Sequence, residues 1–337
     1  MTRKTTQMIK GVAILIMVMH HFCAKTLFPD LDGVLLNVGA NCKICVAIYA
    51  VLSGYGYYFA KEKTVRYGLK KIWGLLQIYW ISLFTLFIPA AIRVGWKLTT
   101  STLFGQLFGL LPNINWFAWY VFFYVFCMMV MPFIYKVFKR KLIFNFGIAF
   151  FVPYLLEVIF HSVPNYENIT IIHDLFTCFL YFPCFLVGYL MAQHRIMEEM
   201  DSFLPSNRKF RVFISVIGLV VVFMMRYMRA GVLGFLFDVF YAPLFVFFVA
   251  KLFEALQKRK ICSIFSVLGK YSTGIWFFHA VFFSTYVSDL FRPILLLVKQ
   301  PVFMYIWCVF LSLVGAFAFQ KLLEGIKLLP KVIKGRT

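Results

Sequence analysis

The chain reads WFAWYVFFYVFCMMVMPFIY from residue 116 to residue 135, an uninterrupted run of twenty uncharged and mostly apolar residues. An α-helix needs about 20 such residues to cross the hydrocarbon core of a bilayer. Four cations follow at once, at positions 136, 139, 140 and 141. Because cations gather in short loops on the cytoplasmic side of a membrane, this stretch predicts a membrane-spanning helix that ends there.

Similar segments repeat along the whole chain with short polar joints between them. Of the 337 residues, 62% are hydrophobic and only 14% are charged, whereas about a quarter of a soluble domain is charged. We therefore predict an all-α membrane protein, a bundle of about ten transmembrane helices that forms a single domain over residues 1–337. The predicted spans are residues 6–25, 40–60, 68–92, 116–137, 142–160, 172–193, 210–228, 232–251, 271–290 and 301–323. Residues 102–111 are apolar but too short to cross, and we expect a re-entrant or interfacial piece there.

The lysines and arginines are distributed unequally between the two sides of the membrane, and this sets the predicted orientation. With these spans, 26 of the 34 lysines and arginines fall on one side of the membrane and 8 on the other. The richer side is the cytoplasmic one, so both termini are predicted to be cytoplasmic. The net charge of +21 does not indicate nucleic-acid binding, since the cations are spread over short loops and do not cluster on one soluble face.

The eight cysteines lie mostly within apolar spans. Cys42 and Cys45 form a lone C-x-x-C pair without a second pair, so we expect neither a metal site nor disulfide exchange. A disulfide between Cys23 and Cys42 stays open, because both are predicted to lie near the outer surface.

Ionisable groups inside spans are costly and are therefore candidates for function. The first span contains Lys10, His20 and His21. Lys10 and His21 are eleven residues apart, about three helical turns, so they share one helix face with a rise of about 16 Å between them. His20 points about 100° away from His21. This places a cation near the cytoplasm and an imidazole deeper in the membrane, an arrangement suited to a charged donor that enters from the cytoplasm. The alternative is that Lys10 extends its amine to the membrane surface and that the histidines only pack.

Further intramembrane polar groups are His279, in the middle of the ninth predicted span, and the three carboxylates Glu157, Asp174 and Asp238. We expect His279 to face the bundle interior, either in the site or in a structural hydrogen bond. The carboxylates are predicted to be hydrogen-bond partners between helices.

Four segments together resemble the acyltransferase-3 family of bacterial integral-membrane acyltransferases. Lys10-x10-His21 is similar to the family's Arg-x10-His motif, and Lys43 to Gly56 resembles its second-span signature, which ends in Ser-Gly. Phe185-Leu-Val-Gly-Tyr189 resembles its Phe-x-x-Gly segment, and Ser272 to His279 resembles a late segment with Trp and His. The resemblance extends over essentially the whole chain.

The resemblance implies a membrane O-acyltransferase that moves an acyl group, usually acetyl, from cytoplasmic acyl-CoA to a hydroxyl of a cell-surface carbohydrate. It also implies the bacterial cytoplasmic membrane as location, acyl-CoA (acetyl-CoA first) as the donor substrate, and no bound cofactor or metal. The oligomeric state is not predicted. By this analogy the candidate catalytic residues are His21 and His279, and the candidate substrate-binding residues are Lys10, His20, Ser53, Lys70 and Lys71.

Two departures from the family pattern concern the donor site. Lys10 keeps the charge of the family's Arg but lacks its planar two-pronged fork. The family's basic-x-x-Arg pair at the start of the third span is here Lys71-x-x-Gly74, so the second charge is missing, and Lys70 is the nearest substitute.

Two other functions stay open at this stage. One is a transporter or flippase for a lipid-linked sugar, although the paired, broken spans that are common in transporters are not evident in this sequence. The other is a non-catalytic membrane partner in glycan assembly, which would tolerate changes at Lys10 and His21.

Overall fold

The structure is a computed structural model that describes residues 1–23, 33–97, 99–110, 114–139, 141–163, 170–228, 236–256, 259–284 and 287–334. Within these ranges the chain forms helices and connecting segments, and none of the described residues lies in a strand. The α-helices are α1 (Arg3–Phe22), α2 (Gly33–Cys42), α3 (Ile44–Tyr58), α4 (Val65–Ser82), α5 (Ile88–Arg93), α6 (Thr100–Phe108), α7 (Trp119–Ile134), α8 (Leu142–His161), α9 (Thr170–Gln193), α10 (Ile196–Ser202), α11 (Arg208–Met228), α12 (Asp238–Leu256), α13 (Lys260–Lys270), α14 (Ser272–His279), α15 (Ser288–Leu295) and α16 (Pro301–Lys334).

Seven helical stretches of the described chain are long and apolar enough to cross a membrane, or eight if one bent pair counts as a single span. The seven are Gly33–Tyr58, Val65–Arg93, Trp116–Lys139, His173–Gln193, Arg208–Met228, Asp238–Leu256 and Pro301–Leu328. The all-α membrane architecture predicted from the sequence is therefore confirmed, while the number of ten crossings and the cytoplasmic location of both termini stay predictions.

The predicted first and fifth spans coincide with α1 and α8. Both helices are 20 residues long; α1 carries polar residues near both ends, and in α8 the apolar stretch found among the described side chains is Leu142–Leu156. That α1 and α8 cross the bilayer stays a prediction.

The ninth predicted span, residues 271–290, is not one continuous helix. Helix α13 ends at Lys270, α14 begins at Ser272, and the bent pair Lys260–Lys270 and Ser272–Phe282 replaces the expected span. One charged and several small or polar residues, from Gly269 to Gly274, stand at this break, where the predicted ninth span begins.

Helix α6 confirms that residues 102–111 contain a helix too short to cross. It has nine residues and is closed at both ends: the Thr99 hydroxyl accepts from the backbone N–H of Thr102 at 3.2 Å, and Gly109 ends the helix with φ +75°. A left-handed glycine directly after the last turn is a common helix terminator. The helix is fixed by Tyr79, whose hydroxyl donates to the carbonyl oxygen of Gln106 at 2.6 Å.

The chain divides into two compact units. The first unit contains Met1–Leu69 and Phe126–Lys270, and the second contains Lys70–Val125 and the chain from Tyr271 onward. In the first unit α1 packs against α2, α3, α12 and α13, and α3 packs against α9. In the second unit α14 packs against α16.

The counted cations Lys43, Arg226 and Lys251 are buried or half-buried in the first unit. Lys43 is the half-buried junction of α2 and α3, Arg226 is in the last turn of α11, and Lys251 is buried inside α12. Lys251 is ion-paired with Asp201 at 3.2 Å and with Glu254 at 2.8 Å. The counted cations Lys25, Arg140, Arg229, Lys258 and Arg336 lie outside the described residues.

Candidate active site

Lys10 and His21 lie on one continuous helix. Helix α1 runs without a break from Arg3 to Phe22, and the Thr2 hydroxyl caps its start by accepting from the Thr5 N–H at 3.1 Å. The eleven-residue separation therefore corresponds to three helical turns on one face, as the sequence predicts. Both side chains are half-buried.

The backbone around Lys10 is held by close contacts with α13 and α3. A Cβ added to Gly11 would collide with the carbonyl oxygen of Phe265, and one added to Gly269 would collide with the carbonyl oxygen of Gln7. The Tyr49 hydroxyl donates to the carbonyl oxygen of Lys10 at 3.2 Å. Small residues allow helices within a membrane to approach this closely, so Lys10 is attached to a rigid point of the unit.

His20 is held in one tautomer by α2. Its Nδ1 lies 2.7 Å from the carbonyl oxygen of Gly39. Because a carbonyl oxygen can only accept, Nδ1 carries the proton, and the lone pair of the neutral ring is on Nε2. The His20 and His21 rings are adjacent, with centroids 4.8 Å apart and an interplanar angle of 50°. The two imidazoles thus form a contiguous pair at the C-terminal end of α1.

A buried ion pair lies next to α2, the helix whose Gly39 carbonyl oxygen accepts from His20. The Arg226 guanidinium donates to both carboxylate oxygens of Asp238, at 2.7 and 3.0 Å. It also donates to the carbonyl oxygens of Ala40 and Asn41, at 3.1 and 2.6 Å, and to the Asn41 side chain at 3.1 Å. The Asn41 amide donates in turn to the carbonyl oxygen of Phe223 at 3.0 Å.

Sequence reasoning identified only one half of this ion pair. It predicted that Asp238 bonds between helices, and that prediction is confirmed by its bonds to Arg226, but it counted Arg226 only as a cation of the outer side. The two residues stand twelve positions apart, one at the end of α11 and one at the start of α12. Opposite charges on either side of one connection between spans are the signal that could have paired them.

The other two predicted intramembrane carboxylates are Asp174 and Glu157. Asp174 is buried with its carboxylate 3.9 Å from His173 Nδ1, and the side chain of Glu157 lies outside the described part of the structure.

Ser53 lies in α3, where two of the family-like segments meet. A Cβ added to its neighbour Gly54 would collide with the carbonyl oxygen of Phe185, and one added to Gly188 would collide with the carbonyl oxygen of Val51. The Ser-Gly segment and the Phe-x-x-Gly segment are therefore two sides of one close helix contact. This contact explains Gly54 and Gly188 by packing, and the substrate-binding role of half-buried Ser53 stays a prediction.

The remaining predicted site residues lie in the second unit. His279 is fully buried at the end of α14, where its Nδ1 donates to the carbonyl oxygen of Ile275 at 3.2 Å. Its ring packs near Phe117 and Phe283, with centroids 5.7 and 6.0 Å away. These are contacts expected of a packing histidine, and a catalytic role for His279 stays a prediction. Lys70 and Lys71 are exposed on α4.

The described residues show no cluster of three or more His, Cys, Asp or Glu side chains that could hold a metal ion. All eight cysteines lie in the described ranges and are free thiols, including Cys23 and Cys42, for which a disulfide had been left open.

The apolar helices define a multi-pass membrane protein in which two histidines, His20 and His21, lie in the last turn of one helix. The model of the acyltransferase-3 family, described as an acyltransferase domain, matches residues 7–321. The chain therefore belongs to the acyltransferase-3 family and is a membrane acyltransferase. No curated protein and no solved structure shows a significant similarity to it. The family assignment favours an enzyme over the transporter and the non-catalytic partner.

Proposed function

We propose that this chain is an O-acyltransferase of the bacterial cytoplasmic membrane. It moves an acyl group, with acetyl as the first expectation, from cytoplasmic acyl-CoA to a hydroxyl of a cell-surface carbohydrate. The observation that carries the proposal is the continuous helix α1, on which Lys10 and His21 share a face three turns apart. Membership of the acyltransferase-3 family supports the same conclusion.

The donor end of the proposed site is Lys10. Acyl-CoA carries several phosphates, and the Lys10 ammonium can bind one of them through a charge-assisted hydrogen bond. The predicted cytoplasmic surplus of Lys and Arg would attract the same anion before it docks. The exposed cations Lys70 and Lys71 belong to this surplus.

The chemical step is assigned to His21. Its imidazole accepts the proton of the acceptor hydroxyl while the hydroxyl oxygen forms a bond to the thioester carbonyl carbon. The carbon–sulfur bond then breaks, and the departing CoA thiolate takes a proton back from the imidazolium. A relayed route, in which His21 first carries the acyl group and then passes it to the hydroxyl, uses the same residue.

The central test is His21→Ala. In liposomes that contain the purified protein, [14C]acetyl-CoA and a cell-surface glycan fraction, we expect the variant to transfer label 10² to 10⁴ times more slowly (roughly, the usual share of a general base). Acetyl content of the surface glycan, measured by mass spectrometry, should fall in parallel in cells that express the variant at normal abundance.

The matched control is His173→Ala, a change of the same type at a half-buried histidine in the first turn of α9. It should transfer label at the rate of the unchanged chain. Undiminished transfer by His21→Ala at equal abundance would remove the basis of the proposed mechanism.

A further inference from the structure

The Arg226–Asp238 pair is an expensive feature to build into a membrane protein. The residues Arg226, Asp238 and Asn41 are 2%, 0% and 1% exposed. Removing a charged pair from water is costly, and well-packed apolar side chains of similar volume are often equally stabilising. Stability alone therefore does not account for this pair, and its role depends on the groups to which the Arg226 guanidinium donates.

The guanidinium holds the C-terminal end of α2. The last carbonyl groups of a helix have no partner within the helix, and Arg226 donates to two of them, those of Ala40 and Asn41. The residue immediately before Ala40 is Gly39, whose carbonyl oxygen accepts from His20. One side chain thus fixes the peptide groups that follow the one to which His20 is bonded.

Gly39 is also pressed directly against α1. A Cβ added to Gly39 would stand 2.7 Å from the Cβ and 2.8 Å from the carbonyl oxygen of Cys23, directly after α1. This approach leaves the Gly39 carbonyl little freedom to shift along α1. The chain of contacts runs from Asp238 through Arg226 and the end of α2 to His20, and from there to the adjacent ring of His21.

We propose that Arg226, Asp238 and Asn41 act as a positioning clamp, which holds the end of α2 against His20 and thereby fixes the orientation of the His20–His21 pair. This inference rests on the proposed function, because it assumes that His21 performs proton transfer. None of the three clamp residues touches the reacting atoms. Their effect on the reaction is geometric, and a displacement of about 1 Å at a catalytic group can cost a factor of about 10² in rate.

The test is the double replacement Arg226→Met with Asp238→Leu. Both charges disappear together, so no unpaired ion is left in the interior and the protein is expected to fold. The donors to Ala40 and Asn41 disappear as well. In the [14C]acetyl-CoA assay we expect the apparent kcat to fall by about tenfold to a hundredfold, while the KM for acetyl-CoA changes by less than about twofold, since no donor-site residue is altered.

The matched control removes a different ion pair of α11, Arg211 with Asp201, whose charged atoms are 3.0 Å apart and partly exposed. Lys251, the other partner of Asp201, keeps its ion pair with Glu254 at 2.8 Å, so Arg211→Met with Asp201→Leu should leave both kinetic constants unchanged. If the clamp served stability alone, the Arg226/Asp238 double variant would keep the kcat of the unchanged chain. That result would overturn the inference.

A second variant breaks the same link without removing a charge. Gly39→Ala introduces a methyl group against Cys23, whereas Gly33→Ala, on the same helix, adds one where no atom of the described residues lies within 4 Å. We expect Gly39→Ala to lower kcat and Gly33→Ala to leave it unchanged. Equal kcat for these two variants, with His21→Ala inactive, contradicts the clamp and leaves the proposed function standing. Full activity of His21→Ala contradicts the proposed function itself.

Discussion

Lys10 and His21 face the same way because both side chains are attached to one uninterrupted helix. Helical periodicity determines this arrangement, so it could be predicted from the spacing of two residues. The orientation of the His20 ring could not be predicted from the sequence, because its hydrogen-bond partner is a backbone carbonyl of another helix. At the scale of single residues, the sequence identifies the groups and the neighbouring helices determine their tautomer and direction.

At the same scale, Lys10 tests the donor site. Replacing it with Met removes the ammonium that would bind a CoA phosphate, and a charge-assisted hydrogen bond contributes about 1.5–3 kcal/mol. We therefore expect Lys10→Met to raise the KM for acetyl-CoA by roughly tenfold to a hundredfold. Lys10→Arg should keep the KM low, since Arg preserves the charge and its planar guanidinium can donate two parallel hydrogen bonds. Lys4→Met, an exposed change on the same helix, is the control. An unchanged KM in Lys10→Met would assign Lys10 to the membrane surface.

At the scale of helices, glycines set the distances between neighbouring elements. The contact of α1 with α13 passes through Gly11 and Gly269, and the contact of α3 with α9 passes through Gly54 and Gly188. The sequence alone could not name the partner helices of these glycines. Those partners are distant in sequence and become neighbours only when the chain folds.

Gly269→Ala tests the α1–α13 contact. The added methyl group meets the carbonyl oxygen of Gln7, so the two helices must separate, and overpacking of this kind costs about 1–3 kcal/mol. We expect a lower midpoint of thermal unfolding in detergent and a smaller folded fraction by size-exclusion chromatography. Gly147→Ala lies in α8, where no atom in the described part of the chain is within 4 Å of the added group, and it should be neutral or slightly stabilising because Ala favours helix. Equal behaviour of the two variants would mean that the contact is not tight.

At the scale of the whole molecule, the predicted orientation can be measured directly. Lys61 and Lys97 are exposed residues on either side of the span Val65–Arg93. The charge distribution predicts that Lys61 faces the cytoplasm and Lys97 faces outward. In spheroplasts, a membrane-impermeant maleimide should therefore label Lys97→Cys and leave Lys61→Cys unlabelled until the membrane is opened.

The unchanged chain is the control for this labelling, because all eight native cysteines are buried and should react slowly. The reverse labelling pattern would invert the orientation and place Lys10 at the outer end of α1. A donor site for cytoplasmic acyl-CoA at Lys10 would then be untenable.

The sequence by itself determined the membrane class, the approximate position of most helices, the common face of Lys10 and His21, and the resemblance that the family match confirms. These follow from hydropathy, charge and helical period, which act over a few turns of one segment. The tertiary structure decided the break after α13, the partners of the glycines, the tautomer of His20, and the pairing of Arg226 with Asp238 and the end of α2. Each of these depends on contacts between helices that are packed together, and a local pattern of residues does not contain them.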